Sequence, residues 1–300
     1  MAESFKAIHT YSDPGLDRQK IYEYELSVRI HADGLSYCIL DSNTNKFLHL
    51  ETFDLGGPSR KPHIPGEQEK INTGNLTRLL DSELQWLTQP FSKVRILLEQ
   101  GKSTLVPEAL FAEEEKRNIF EFNIAGGNIK EIDLKHDHLN SIDAFGIYQL
   151  PASMADLIGK YFPGAKVFHH STAFIQSLFL KFRNADNDKQ LFVNTASSRL
   201  DILQIKNMKL DYYNSFIYNT AEDFMYYLVF VVEQLNLNPE SVDMVLLGEI
   251  EKHSPLSELI LKYIRHVKFI DRNADFRYSF VFDQLPGHYY YNLLNVSSCE

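Results

Sequence analysis

The chain has 300 residues, 44% hydrophobic and 13% aromatic, which is enough to bury the cores of two domains and too apolar for a disordered protein. Its formal charge of −10, with Lys and Arg scattered rather than striped, argues against gripping phosphate backbones, so no nucleic-acid partner is expected. No apolar run approaches the ~20 residues of a membrane span, the N-terminus has no signal-peptide core, and Cys38 and Cys299 read as reduced thiols, so we expect no membrane insertion and a cytoplasmic location.

From Tyr24 to Ile30, apolar Leu26, Val28 and Ile30 alternate with Glu25, Ser27 and Arg29, the pattern of a half-buried strand. His31-Ala32-Asp33-Gly34 supplies a turn, with Gly34 free to take positive φ. Leu35–Leu40 returns as a second strand and Phe47–Phe53 makes a third. The segment from Leu55 to Glu69, with Pro58, Pro62, Pro65 and three glycines, reads as a mobile loop. Leu76, Leu79, Leu80, Leu84 and Leu87 recur at helical spacing, and Val94–Leu98 suits a strand covered on both faces. Residues 103–150 read as an insertion: a strand ending at Pro107, a helix over Glu108–Arg117, and a hairpin of Ile129–Leu134 with Ala144–Tyr148. Pro151–Tyr161 is a helix, Val167 ends a short strand, and Ser171 caps a helix carrying Phe174, Leu178 and Phe182.

Asn184-Ala185-Asp186-Asn187-Asp188 is the best boundary in the chain, dividing it into domains 1–183 and 184–300. Beyond it the first pattern returns, as strands Leu191–Thr195, Leu200–Ile205 and Leu210–Phe216. A helix follows, opened by a capping box of Thr220 and Asp223 and carrying Phe224, Leu228, Val231 and Leu235. Val242–Leu247 is a buried strand, Ser254-Pro255 opens another helix, and Val267–Ile270 is a last strand. The chain then ends in an aromatic tail around His288-Tyr289-Tyr290-Tyr291.

Two units of three antiparallel strands, helix, strand, helix and strand resemble the actin-like ATPase superfamily, with its duplicated ribonuclease-H-like domains. The closest likeness in shape is to the pilus-assembly and type II secretion members. The phrases Asn214-Ser215-Phe216 and Glu222-Asp223-Phe224-x-Tyr226-Tyr227 are similar to an uncharacterised bacterial domain-of-unknown-function family within that superfamily. The resemblance implies an α/β fold of two mixed five-stranded sheets flanked by helices. It also implies where nucleotide motifs would lie. The family's first strand ends Asp-x-Gly, the Asp holding a magnesium shell and the Gly admitting phosphate. Here Arg29 and His31 stand at those positions, and a guanidinium repels magnesium. The second phosphate loop, usually Asp-x-Gly-x-Gly, reads Asn194-Thr195-Ala196-Ser197-Ser198. The adenosine motif reads Leu246-Leu247-Gly248-Glu249, keeping one glycine and adding a carboxylate.

Other constellations have structural readings. His136-Asp137-His138 has ligand spacing but no partner motif, so it reads as a solvated hairpin edge and no metal is expected. Ser171 as a cap accounts for His169-His170-Ser171-Thr172, although a helix start is also an anion site. Glu25 and Asp41 are the only seeds for a two-metal nuclease. Glu25 shares a strand face with Arg29, and a surface ion pair between them is the expected outcome. Glu113-Glu114-Glu115-Lys116-Arg117 reads as a solvated helix face. The Tyr289-Tyr290-Tyr291 cluster reads as folding back on the first domain, as terminal helices do in the superfamily it resembles, with docking of a partner as the alternative.

The resulting expectation is a catalytically inactive actin-like scaffold with no catalytic residues and no cofactor. It would engage protein partners through the 55–70 loop, the 103–150 insertion or the tail. The alternative is a divergent ATP-binding protein, with Arg29, His31, Asn194, Ser197 and Gly248 holding Mg-ATP in the cleft and the cleft acting as a switch.

Overall fold

Two large sheets with the same strand order frame the molecule, in a computed structural model that describes residues 5–56, 71–124, 134–182 and 189–299. In chain order the first strands are β1 (Ala7–Ser12), β2 (Tyr24–His31), β3 (Gly34–Asp41), β4 (Lys46–Asp54) and β5 (Lys93–Leu98). Residues 103–150 hold β6 (Ser103–Pro107), β7 (Leu134–Leu139) and β8 (Ala144–Gln149), which form a separate three-stranded sheet, and β9 (Lys166–His169) follows. The remaining strands are β10 (Lys189–Thr195), β11 (Arg199–Lys206), β12 (Lys209–Ile217), β13 (Asp243–Gly248), β14 (His266–Phe269) and β15 (Arg277–Tyr278). The helices are α1 (Thr73–Ser82), α2 (Lys116–Asn123), α3 (Ala152–Tyr161), α4 (His170–Phe182), α5 (Ala221–Gln234), α6 (Pro255–Tyr263) and α7 (Tyr291–Leu294).

The repeat read in the sequence is present. The first sheet runs β4-β3-β2-β5-β9 and the second β12-β11-β10-β13-β14, each with a three-strand antiparallel meander followed by two parallel strands. The first sheet has seven strands rather than the expected five. β1 pairs antiparallel with β4, and β15, from near the end of the chain, pairs parallel with its start. The expected boundary at 183/184 and most of the 55–70 loop lie outside the described residues.

Local chemistry accounts for the helices. Thr220 and Asp223 form the reciprocal capping box of α5, and Ser254 with Pro255 opens α6. α1 and α3 bury Leu76, Leu79, Leu80, Met154, Leu157 and Ile158 against one face of the first sheet, each side chain contributing about 1.5–3 kcal/mol. α5 and α6 cover one face of the second sheet through Phe224, Leu228, Val231 and Ile260. α4, buried along most of its length, covers the other face through Phe174, Ile175 and Leu178, against Phe192, Leu203 and Val245.

Several boundaries differ from the expectation. The helix of the insertion is α2, not Glu108–Arg117. The backbone is extended at Phe111 and Ala112, which places the Phe111 ring in a 4.1 Å stack on Phe145. The hairpin strand facing β8 is Leu134–Leu139, and residues 129–133 lie outside the described residues. Ser171 sits inside α4 rather than capping it. Gly34 does not take positive φ; a Cβ there would lie 2.0 Å from the Phe53 carbonyl oxygen, so close packing against β4 is what requires glycine.

The C-terminal segment folds back, as expected of the tyrosine tail. Phe282, Leu285, Tyr290, Leu293 and Leu294 cover the face of the first sheet formed by Cys38, Leu40, Phe47 and Leu50.

Candidate functional site: the cleft between the sheets

The carboxyl ends of the parallel strands β2, β5, β10 and β13 meet in the cleft, where open α/β sheets bind ligands. Arg29, near the end of β2, is buried there at 5% exposure. Its Nε lies 2.9 Å from Glu99 Oε1, just past β5, and its Nη1 lies 2.7 Å from Glu249 Oε1, just past β13. The surface pair expected with Glu25 does not form. Ser27 stands opposite Arg95 in the β2–β5 register, and Glu25 binds Arg95 at 2.6 Å and Lys93 at 3.9 Å instead. Asp41, the other nuclease seed, accepts from Asn43 N and Thr44 Oγ1 in a turn.

The network continues through the second sheet. Arg199 Nη2 lies 3.3 Å from Glu99 Oε2, and Arg199 Nε lies 3.2 Å from Asp201 Oδ2. Asp201 is fully buried and also accepts from Asn194 Nδ2 (2.8 Å), Ser215 Oγ (2.7 Å) and His170 Nε2 (3.2 Å). Burial alone would raise the Glu99 carboxyl, but Arg29 and Arg199 offset it and hold it down to about 2. Burial likewise opposes ionisation of Asp201, and Arg199 and His170 overcome it, so its carboxyl is held far below the usual range. Arginine and carboxylate therefore stay charged together, each the other's compensation for lost water.

The β2–β3 and β10–β11 turns, where the resemblance would put the phosphate loops, touch each other. Ser197, in the β10–β11 turn, donates from Oγ to Asp33 Oδ2, in the β2–β3 turn. Gly248 has φ +91°, and a Cβ there would fall 2.2 Å from Thr195 O. Its N–H donates to His288 O (2.9 Å), and His288 Nε2 donates to Ile250 O (2.7 Å). Burial lowers the His288 pKa, consistent with a neutral ring. Tyr290 and Thr52 share a hydrogen bond of 3.0 Å, so the tail is tied to both sheets. A cavity of about 20 Å³ remains, lined by Arg29, Glu99, Asn194, Gly248, Glu249 and the start of α7 among others.

Of the five sequence-predicted positions, Arg29, Asn194 and Gly248 converge on this cavity. Ser197 is engaged with Asp33, and His31 lies beside Gly34 with its pKa lowered by burial and by Arg29. Glu99, Arg199 and Asp201 escaped the sequence reading, as did the tail's entry into the cleft. A signal existed for two of them: Glu99 closes an apolar run, and Asp201 interrupts a strand otherwise buried on both faces. A carboxylate in such a place needs a cation.

The start of α4 is an anion site served by the chain itself. Asp137, on β7, accepts from His169 N (2.9 Å), Thr172 Oγ1 (2.6 Å) and Tyr148 Oη (3.2 Å). Burial pushes its carboxyl up to about 6 against these bonds. The flanking His136 and His138 face outward and meet Glu113 and Glu108 at 3.2 Å each. Among the described residues no group of three or more His, Cys, Asp or Glu is arranged to hold a metal.

A family model described as a protein of unknown function, DUF3822, matches residues 13–267. The chain belongs to that family. A Bacteroides thetaiotaomicron protein described as having an actin-like ATPase fold and unknown function is similar to this DUF3822 protein. It has TM-score 0.71 and 23% identity, over 85% of this chain and 93% of that one. A chain of the PilM–PilN type IV pilus biogenesis complex is similar at TM-score 0.55 and 13% identity, over 92% and 98% respectively. No curated protein matches. The fold is the actin-like ATPase fold, as the order of elements implied. No helix among the described residues is long and apolar enough to cross a membrane.

Proposed function

We propose that this chain is a catalytically inactive actin-like protein, a protein-binding frame whose cleft is held shut by its own charges instead of by nucleotide. The observation that carries this reading is Arg29, bound at once to Glu99 and, across the cleft, to Glu249. A magnesium nucleotide fits these residues poorly. The metal position carries a cation, Glu249 brings a carboxylate toward the phosphates, and the Gly248 N–H already serves His288. A space of about 20 Å³ holds roughly one water molecule. Phosphoryl transfer depends on metal and positioned donors, so no catalytic residue is assigned. The PilM–PilN likeness supports a protein partner for this chain as well. Residues of the 103–150 insertion remain available for one, whereas the tail is committed to the cleft.

One observation favours the alternative, a nucleotide switch: Gly248 keeps the left-handed geometry and close approach of the adenosine motif. Thermal unfolding with and without Mg-ATP separates the two. A ligand at 100 times its Kd adds about 2.7 kcal/mol, and we expect no rise at millimolar nucleotide. A rise abolished by Arg29→Ala would replace this reading with the switch.

A further inference from the structure

The family-like phrases of the sequence, Asn214-Ser215-Phe216 and Glu222–Tyr227, are largely left over once the cleft is described. Ser215 is spent on Asp201, and Asp223 on the α5 cap. Phe224 is buried in the core, but Phe216, Tyr226 and Tyr227 of these phrases do something else: with Phe230 they build a ledge on the outer face of the second sheet. Phe216 of β12 stacks on Tyr227 of α5 with centroids 4.7 Å apart. Tyr227 meets Tyr226 edge-on at 5.4 Å, and Tyr226 lies parallel to Phe230 at 6.3 Å. Tyr226 and Phe230, one helical turn apart, are 66% and 43% exposed. Single exposed apolar residues need no explanation, but Tyr226 and Phe230 adjoin each other and continue into the half-buried Phe216 and Tyr227, which makes a patch.

The charge around the ledge decides what covers it. α5 carries Glu222, Asp223 and Glu233 and has no Lys or Arg. Glu222 and Glu233, both exposed, bracket the two rings along the helix and have no ion-pair partner among the described residues. A second copy docked antiparallel on this face would set Glu222 opposite Glu233, acid against acid. An anionic lipid surface would be repelled as well. A cationic helix satisfies every feature: its apolar face and lysine or arginine stems lie on the rings, with a cation–π contribution, and its charged heads reach the two glutamates.

We propose that α5, with Phe216, is a docking face for a basic amphipathic helix of a partner protein. This rests on the reading of the chain as a protein-binding frame and supplies the surface and the chemistry of the partner. The test uses a fluorescein-labelled synthetic helix of leucine and lysine, and its counterpart with glutamate in place of lysine, titrated with the full chain at 150 mM salt. Fluorescence anisotropy should report micromolar binding of the lysine peptide and none of the glutamate peptide. Tyr226→Ala with Phe230→Ala, and separately Glu222→Lys with Glu233→Lys, should each weaken binding at least tenfold while the chain stays folded at the assay temperature, with Tm lowered by only a few degrees. Equal binding to the double alanine variant would mean adsorption to an acidic protein and would overturn the proposal, as would no binding by the wild type. A dimer seen by sedimentation and lost in the alanine variant would assign the face to a second copy instead. Failure of the peptide with no Mg-ATP effect on Tm removes only this surface, whereas a rise in Tm with Mg-ATP removes the frame reading itself.

Discussion

Arg29 and Glu249 lie on opposite sheets and meet at 2.7 Å across the cleft that separates them. Arg29 is buried and Glu249 about one-third exposed, so removing the arginine strands Glu99 more than it strands Glu249. Arg29→Met should lower stability by about 3 kcal/mol, the cost of breaking a buried pair. A double-mutant cycle with Glu249→Gln should return a coupling of only about 1 kcal/mol, because water already screens that carboxylate. Urea denaturation of the four proteins measures both.

Gly248 is required for two reasons at once, and a second glycine separates them. Gly248→Ala adds a Cβ that overlaps the Thr195 carbonyl in a left-handed backbone, and should cost at least about 3 kcal/mol or prevent folding. Gly56 has φ +65° with nothing within 4 Å of a built Cβ. Gly56→Ala should therefore cost only the conformational strain, about 1 kcal/mol. Comparable losses in both would assign the Gly248 effect to strain alone.

Two buried carboxylates predict opposite pH slopes. Glu99 is held at about 2, below its ordinary 4.5, so its contribution is present above pH 4.5 and is lost as pH falls toward 2. At 1.36 kcal/mol per unit this is about 3 kcal/mol, and Glu99→Gln should remove it. Asp137 is raised from 3.8 to about 6, so the folded state favours its protonated form. Its contribution is full below pH 3.8 and is lost as pH rises through 6. Asp137→Asn, which keeps the shape and an acceptor for Thr172, should gain on the wild type by up to about 3 kcal/mol between pH 4 and 7. Denaturant midpoints across that range read the difference directly.

The tail should be part of the cleft's stability. Leu293 is buried against the first sheet, and Leu293→Ala should cost about 2–5 kcal/mol. The Gly248 amide, bonded to His288 O in the same segment, should then exchange its hydrogen faster than amides in the middle of β10. Unchanged exchange at Gly248 would show that the tail and the cleft open independently.

The strands and helices of both halves were legible in the sequence because burial imposes a short-range period. Leu26, Val28 and Ile30 alternate, and Phe224, Leu228 and Val231 recur, whatever lies far along the chain. The caps of α5 and α6 are equally local, settled within four residues. The family resemblance could also mark Arg29 and Asn194 as departures from a nucleotide motif, and Gly248 as a position that keeps it. It could not say what Arg29 binds. Glu99 and Glu249 reach it only because two parallel crossovers and the facing of two sheets bring three distant strand ends together. For the same reason β15 and the tail, late in the sequence, belong to the first sheet and to the cleft. Period and capping are properties of neighbours in the chain, whereas the partner of a buried charge is a property of neighbours in space.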